Sequence, residues 1–307
     1  MTIDIHSKFQ GAMLGSALGD AIGELAFRFT ERDQLLAEVE VSEKLIYTDD
    51  TAMAIALAES LVEEGDVDEQ QLGDTFYQHY LKEPWRGYGA GPPQIFDMVE
   101  EEDISYVEAA RRLYDGKGSM GNGAAMRITP LGLYYYNSDQ LYEKAKASAQ
   151  ITHTHPIGID GAAVQAKAIA ITVGLNYQRP FSPRTFAESL AAFGRTTEFK
   201  DKLAFIPELI ASDISADEAA ARLGRGVAAH ESMPFALYSF LRYPHTFVET
   251  ILCAILTGGD RDTMGAMAGA VCGGYLGIEA IPVEWRRKLE NNQHIETLAR
   301  ELAARAI

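Results

Sequence analysis

Two short runs in this chain of 307 residues put oxygen donors where helices begin. The first is Thr48-Asp49-Asp50-Thr51, which leads into the periodic run AMAIALAESL. Thr48 stands where an N-cap stands, and both aspartates fall in the first turn, where the helix dipole favours carboxylates. Capping alone explains such a run when it occurs once. The second run, Gly258-Gly259-Asp260-Arg261-Asp262-Thr263, repeats the chemistry far along the chain and leads into MGAMAGAVCGGYLG. The small residues of that helix allow a neighbouring helix to come very close. Together the runs offer four aspartates and two threonines, all hard oxygen donors, with no Cys or His pair at zinc spacing. This set suits Mg²⁺, Mn²⁺ or Ca²⁺. Four carboxylates exceed what one Mg²⁺ usually takes from protein, and they repel one another without a cation between them, so two ions are expected.

Three further segments carry candidate chemistry. Lys117-Gly118-Ser119-Met120-Gly121-Asn122-Gly123 lets backbone amides converge on an anion, although it has neither the Walker ending nor the GxGxxG spacing. Tyr114, just upstream, is placed to stack on a planar base. Trp85-Arg86-Gly87-Tyr88-Gly89 combines aromatics, a cation and glycines, and equally reads as a surface loop anchored by Trp85. In Thr152-His153-Thr154-His155 the histidines are two apart and share no helix face, so spacing alone favours a half-buried His153 over a ligand-facing one.

The elements that must position these groups read as helices. Phe9, Met13, Leu14, Ala17, Leu18 and Ala21 share one face, and Met53, Ala54, Ala56, Leu57 and Leu61 another. Residues 139–151, 159–175, 186–193, 216–223, 234–241, 246–256, 263–276 and 284–304 show the same period. The best strand candidate is Glu38–Val41. Gly/Pro clusters punctuate the chain without forming a flexible linker, and no repeat or composition shift divides it. One all-α domain over 1–307 is expected. The acidic stretches Glu63–Glu69 and Glu100–Glu108 read as solvated surface.

Hydrophobic residues at 47% and charged residues at 23% are those of an ordinary globular protein. Asp and Glu number 44 against 27 Lys and Arg, a formal charge of −17 that disfavours nucleic-acid backbones and acidic lipids as partners. Two cysteines, Cys253 and Cys272, sit in apolar surroundings and read as buried reduced thiols. Residues 1–10 show no signal-peptide pattern and no membrane span is expected, so the expected location is cytoplasmic.

In order along the chain, FQGAMLGSALGDAIG at 9–23, TDDTAMA at 48–54, RGYGAG at 86–91, GKGSMGNGAAMR at 116–127, SAQITH at 148–153 and GGDRDTMGAMAGAVCGGYLG at 258–277 resemble the ADP-ribosylglycohydrolase family. The likeness is greatest to its ADP-ribosylserine hydrolase branch. The resemblance implies an orthogonal all-α bundle with a binuclear Mg²⁺ centre, and Mn²⁺ as a substitute. It implies metal ligation by Thr48, Asp49, Asp50, Asp260, Asp262 and Thr263. It implies that Gly118, Ser119, Met120, Gly121 and Asn122 wrap a diphosphate, that Tyr114 stacks on adenine, that His153 meets the ligand, and that Gly87, Tyr88 and Gly89 lie near the distal ribose. The implied partners are ADP-ribose and an ADP-ribosylated protein or small molecule. The implied reaction is hydrolysis of the glycosidic bond between ADP-ribose and its acceptor, with Asp50, Asp49 and Glu24 as catalytic carboxylates.

Two positions depart from the family pattern. Phe27 stands where the family usually has a glutamate that touches a metal, with Glu24 as the nearby candidate to replace it. Arg261 stands where a small or polar residue is usual, free to pair with a phosphate or to face solvent. Phe27 supports an alternative, a non-catalytic ADP-ribose-binding member. A magnesium-dependent phosphohydrolase or prenyl-diphosphate enzyme is the third reading, and the chain lacks the DDxxD or HD motif it requires.

Overall fold

The computed structural model describes residues 4–306, and those residues form eighteen α-helices with no β-strand. In order they are α1 (Ile5–Ala26), α2 (Arg32–Val41), α3 (Asp49–Glu64), α4 (Glu69–Lys82), α5 (Gly91–Glu102), α6 (Tyr106–Gly116), α7 (Gly123–Met126), α8 (Thr129–Tyr134) and α9 (Leu141–Gln150). The second half holds α10 (Pro156–Gly174), α11 (Pro183–Phe193), α12 (Thr197–Ala211), α13 (Ala216–Leu223), α14 (Ala229–Arg242), α15 (Phe247–Leu256), α16 (Arg261–Leu276), α17 (Val283–Lys288) and α18 (Asn292–Arg305). The all-α expectation is therefore met.

The most extensive packing in the molecule is between α1 and α16. Gly11, Gly15, Gly19 and Gly23 recur every fourth residue, which keeps them on one face of α1. That face meets Gly273, Gly269, Gly265 and Asp262 of α16 in reverse order, so the helices run antiparallel. A Cβ added at Gly15 or Gly19 would collide with the carbonyl of Gly269 or Gly265, and one at Gly23 would lie 2.5 Å from Asp262 Cα. Backbone meets backbone, with no side chain between. The seam ends at the start of α16 and so brings Asp20 and Glu24 of α1 up to Asp262.

Helix α10 occupies the centre, packed against α7, α8, α9, α14 and α16. Its mean hydropathy of 1.3 and its length would suffice to cross a membrane, but 83% of that window is buried inside the protein, as befits a core helix that is apolar all round. The buried Gln165 of α10 donates to Met267 O of α16 at 2.9 Å. Lys8, also buried, caps the C-terminal end of α10 by donating to the carbonyls of Thr172, Val173 and Leu175. Cys253 and Cys272 are buried free thiols, as expected, and burial pushes them up to about 11 and about 12.

Two readings are corrected. Glu38–Val41 is the last turn of α2, not a strand: Leu35 and Val39, four apart, are buried on one face, while Val41 is exposed. The run 284–304 is not one helix. Leu45 N donates to Lys288 O (2.8 Å) and Glu290 N to Leu45 O (2.9 Å), which takes this backbone out of the helical ladder, and Asn291 turns at φ 52° before α18 begins.

Candidate functional site

The start of α3 is held from behind. Asp20 of α1 is fully buried and accepts from Thr48 N (3.0 Å), Thr48 Oγ1 (2.8 Å), Thr51 N (3.0 Å) and Thr51 Oγ1 (2.6 Å). One carboxylate thus satisfies both threonines and two of the unpaired N–H groups at the helix start. Asp49 N donates to Arg86 O (2.9 Å). Arg86 is itself buried: it pairs with Glu83 (2.8 Å) and Glu290 (2.6 Å), donates to Tyr47 O (3.0 Å) and lies over the Tyr47 ring. Arg86 is therefore the anchor of the 85–91 loop, and Trp85, 72% exposed, is not.

The start of α16 hangs from loops. Gly258 and Gly259 both take positive φ (88° and 78°), and a Cβ at Gly259 would collide with Arg225 O. That carbonyl instead accepts from Asp260 N at 3.0 Å. Asn122 Nδ2 donates to Asp260 Oδ2 (2.6 Å) and to Ser232 Oγ (3.0 Å). Arg261 is half-buried: it donates to Ile255 O (2.6 Å) and, with Arg225 on Thr257 O, caps the end of α15.

These two starts meet. Thr263 Oγ1 lies 3.5 Å from Asp50 Oδ2, which in turn lies 3.4 Å from Thr48 Oγ1. Asp20, Asp49 and Asp260 are each pushed up to about 7, first by burial and then by the neighbouring aspartates, Asp262 among them; hydrogen bonds to Asp20 and Asp260 oppose the shift. Asp50 is raised well above the carboxylate range for the same reasons. Asp50 Oδ1 and Asp262 Oδ1 are buried with no hydrogen-bond partner. Among the described residues no three acidic, His or Cys side chains already close round a common point, so the donors form a shared wall and not a finished shell. Hard oxygens, mutual repulsion and two orphaned carboxylate oxygens are the chemistry that a hard cation satisfies.

Two adjoining cavities share residues of this wall. An inner cleft of about 370 Å³ is lined by Asp49, Asp50, Asp260, Asp262 and Thr263 together with Gly87, Gly89, Tyr114, Ser119, Gly121, Asn122 and His153. A larger outer groove of about 780 Å³ shares Asp49, Asp262 and Gly87, and adds Thr48, Glu24, Trp85 and Arg86. Glu24 is half-buried there and its carboxyl is raised by burial and by Asp262. Phe27 is 48% exposed at the end of α1. Glu24 lines the outer groove and Phe27 does not.

Most of the expected ligand residues converge on the inner cleft, and three do not. Tyr88 turns inward and packs edge-on against Tyr80 at 5.2 Å. Gly118 (φ 71°) is a packing glycine, since a Cβ there would collide with Thr154. Met120 is exposed, and its carbonyl accepts from Ala229 N (3.0 Å), which ties the loop to α14. Tyr114 and Asp115 both sit at positive φ (54° and 57°) in a kink that interrupts α6 and leaves the Tyr114 ring 59% exposed at the cleft. Two left-handed non-glycine residues in succession are strained, as at many binding sites.

Three residues escaped the sequence reading: Asp20, Arg127 and Thr152. Asp20 did leave a signal, a carboxylate in the run 11–23 whose other residues are apolar or small, which must find partners. Arg127 and Thr152 are buried behind His153, and nothing in their spacing predicts that contact.

Over residues 1–307 the chain matches the family model described as ADP-ribosylglycohydrolase, and it is an enzyme of the glycosyl-hydrolase class. It is 34% identical to ADP-ribosylhydrolase ARH3 of Mus musculus, an alignment covering 96% of this chain and 91% of the relative, and 33% identical to ADP-ribosylhydrolase ARH3 of Homo sapiens, covering 96% and 93%. A solved structure titled ADP-ribosylglycohydrolase-related protein complex shares the fold with a TM-score of 0.68, at 24% identity over 99% of both chains. The chain belongs to the ADP-ribosylglycohydrolase family.

Proposed function

We propose that this enzyme hydrolyses the glycosidic bond between ADP-ribose and a modified serine or arginine side chain or a small ADP-ribose conjugate, releasing ADP-ribose, with two Mg²⁺ ions held by Thr48, Asp49, Asp50, Asp260, Asp262 and Thr263. The observation that carries this reading is the meeting of the two aspartate-bearing helix starts on one wall, with Thr263 Oγ1 3.5 Å from Asp50 Oδ2. A single contiguous core supports reading residues 1–307 as one domain.

When bound, Mg²⁺ supplies Lewis acidity and neutralises the crowded carboxylates. The rest falls to the chain. The inner cleft, with Tyr114 at its rim and Ser119, Gly121 and Asn122 along one side, is the ADP-ribose side of the wall. Breaking the bond at the ribose anomeric carbon gives oxocarbenium character, which nearby carboxylates stabilise. Asp50, buried on the wall, orients the attacking water. Glu24 opens on the other cavity, the side we assign to the acceptor, and its carboxyl, raised by burial and by Asp262, is placed there to pass a proton to the departing oxygen or nitrogen.

The test is a panel of ADP-ribosyl-serine, ADP-ribosyl-arginine and small ADP-ribose conjugates, assayed with Mg²⁺ and with EDTA. Release of ADP-ribose that EDTA abolishes is the expected result. Mg²⁺-loaded protein that leaves every conjugate intact would overturn the proposal.

A further inference from the structure

Arg127, at the C-cap of α7, is completely buried and forms no ion pair among the described residues; the Asp49 carboxylate partly offsets the cost of burying its charge. It donates to Ser148 O (3.2 Å) and to Thr152 Oγ1 (2.8 Å), approaches Met53 Sδ at 3.8 Å and lies 4.5 Å over the Phe76 ring, while its Nε has no partner. A buried cation held this way is costly, so it invites a question about what it does. Thr152 Oγ1 lies 2.7 Å from His153 Nδ1, and Thr152 is as deeply buried as Arg127.

The proton directions in this chain of contacts follow from which groups have partners. A guanidinium only donates, so Thr152 Oγ1 must accept from it. The hydroxyl has a second lone pair that a His153 Nδ1–H could use, but its own buried proton would then have no acceptor; with His153 Nδ1 accepting, the hydroxyl proton and the ring nitrogen are both paired. With Nδ1 as an acceptor the ring carries its proton on Nε2. The Nε2 edge faces the glycine loop: a Cβ at Gly121 would lie 3.3 Å from Nε2 and one at Gly123 3.1 Å. Gly121, Gly123 and His153 all line the inner cleft. Those glycines leave room for a ligand atom where side chains would block the ring.

We propose that Arg127 and Thr152 are positioning residues that fix His153 in its Nε2–H tautomer, so that the ring offers the inner cleft a hydrogen-bond donor and never an acceptor. Burial and the Arg127 charge also push His153 down to about 3, so the ring stays neutral at every pH at which the enzyme would work. A fixed neutral donor selects an oxygen acceptor, a phosphate or ribose oxygen of ADP-ribose; that identity rests on the function proposed above, whereas the tautomer does not.

Nitrogen NMR of protein labelled with ¹⁵N-histidine reads the tautomer directly, with the His153 signals assigned by loss in His153→Gln. The wild type should show an unprotonated Nδ1 and a protonated Nε2. Thr152→Val removes the hydroxyl and should shift both signals toward a mixture of tautomers. It should also weaken ADP-ribose binding, measured by calorimetry, by about tenfold, the effect of one lost hydrogen bond. Thr152→Ser should restore both. A wild-type spectrum with the proton on Nδ1 would overturn the proposal, as would unchanged signals in folded Thr152→Val. Should Thr152→Val fail to fold, the wild-type spectrum decides alone. Wild-type protein that shows the Nε2–H form but does not bind ADP-ribose would sink the functional reading and leave the relay standing.

Discussion

At the start of α3, Thr48, Asp49 and Asp50 are backed by a buried carboxylate, Asp20, that accepts four hydrogen bonds. At the start of α16, Asp260, Asp262 and Thr263 hang from a glycine turn, with one amide side chain, Asn122, and one carbonyl, that of Arg225, holding Asp260. The two runs look alike in sequence and are positioned by opposite means. The difference teaches that a charged anchor serves the first, built into the rigid α1, while the second is tied to the glycine loop beside the cleft. Asn122 itself lines that cleft, so one residue both faces the cleft and places Asp260.

The comparison can be broken most strongly by neutralising one carboxylate on each side. Asp49→Asn and Asp260→Asn should each lower Mg²⁺-dependent turnover about 10³-fold, as expected when charge is removed from a preorganised site. Both should hold the same melting temperature as the wild type in EDTA or exceed it, since each relieves repulsion that raises its neighbours. Magnesium titration checks the assignment: two bound ions retained in both variants would refute it.

Next in size are the anchors themselves. Asp20→Ala strands four donors and should cost about 3 kcal/mol in denaturant unfolding, together with most of the activity. Asn122→Ala removes one contact to Asp260 and one to Ser232 and should cost only about 1 kcal/mol, with ADP-ribose affinity reduced as well. Equal losses of stability would abolish the distinction between the two helix starts.

An effect confined to acid pH arises on the loop side. His153 lies well below its ordinary value in the folded protein, so the unfolded chain takes up a proton near pH 6.5 that the native one refuses. The stability this residue contributes is fully present above about pH 6.5 and is lost as pH falls toward 3. His153→Gln should therefore flatten the acid limb of melting temperature against pH, with little change above pH 7.

The aspartate runs were legible because helix starts have a recognisable chemistry: a capping threonine, first-turn acids and small residues after them. That they share a wall was not legible from either run. It depends on the α1–α16 seam, whose signal on α1, Gly11, Gly15, Gly19 and Gly23, is a spacing of glycines and not of apolar side chains. Ser119, Gly121 and Asn122 of the glycine loop line the cleft, whereas Gly118 and Met120 of the same loop and Tyr88 of the 85–91 segment do not, a distinction that spacing alone does not make. Most helices were legible from their apolar period. Among those passed over, α12 carries Pro207 within it and α5 opens on two prolines, both of which read as breaks.

A junction made of bare backbone has no rotamers to redistribute. Warming cannot loosen it by degrees through side-chain motion, and no neighbouring substitution can refill a gap if it parts. The spacing between the backbones that carry Glu24 and Asp262 is therefore all or nothing: it holds up to the temperature at which the helices come apart, so the site and the fold should be lost together.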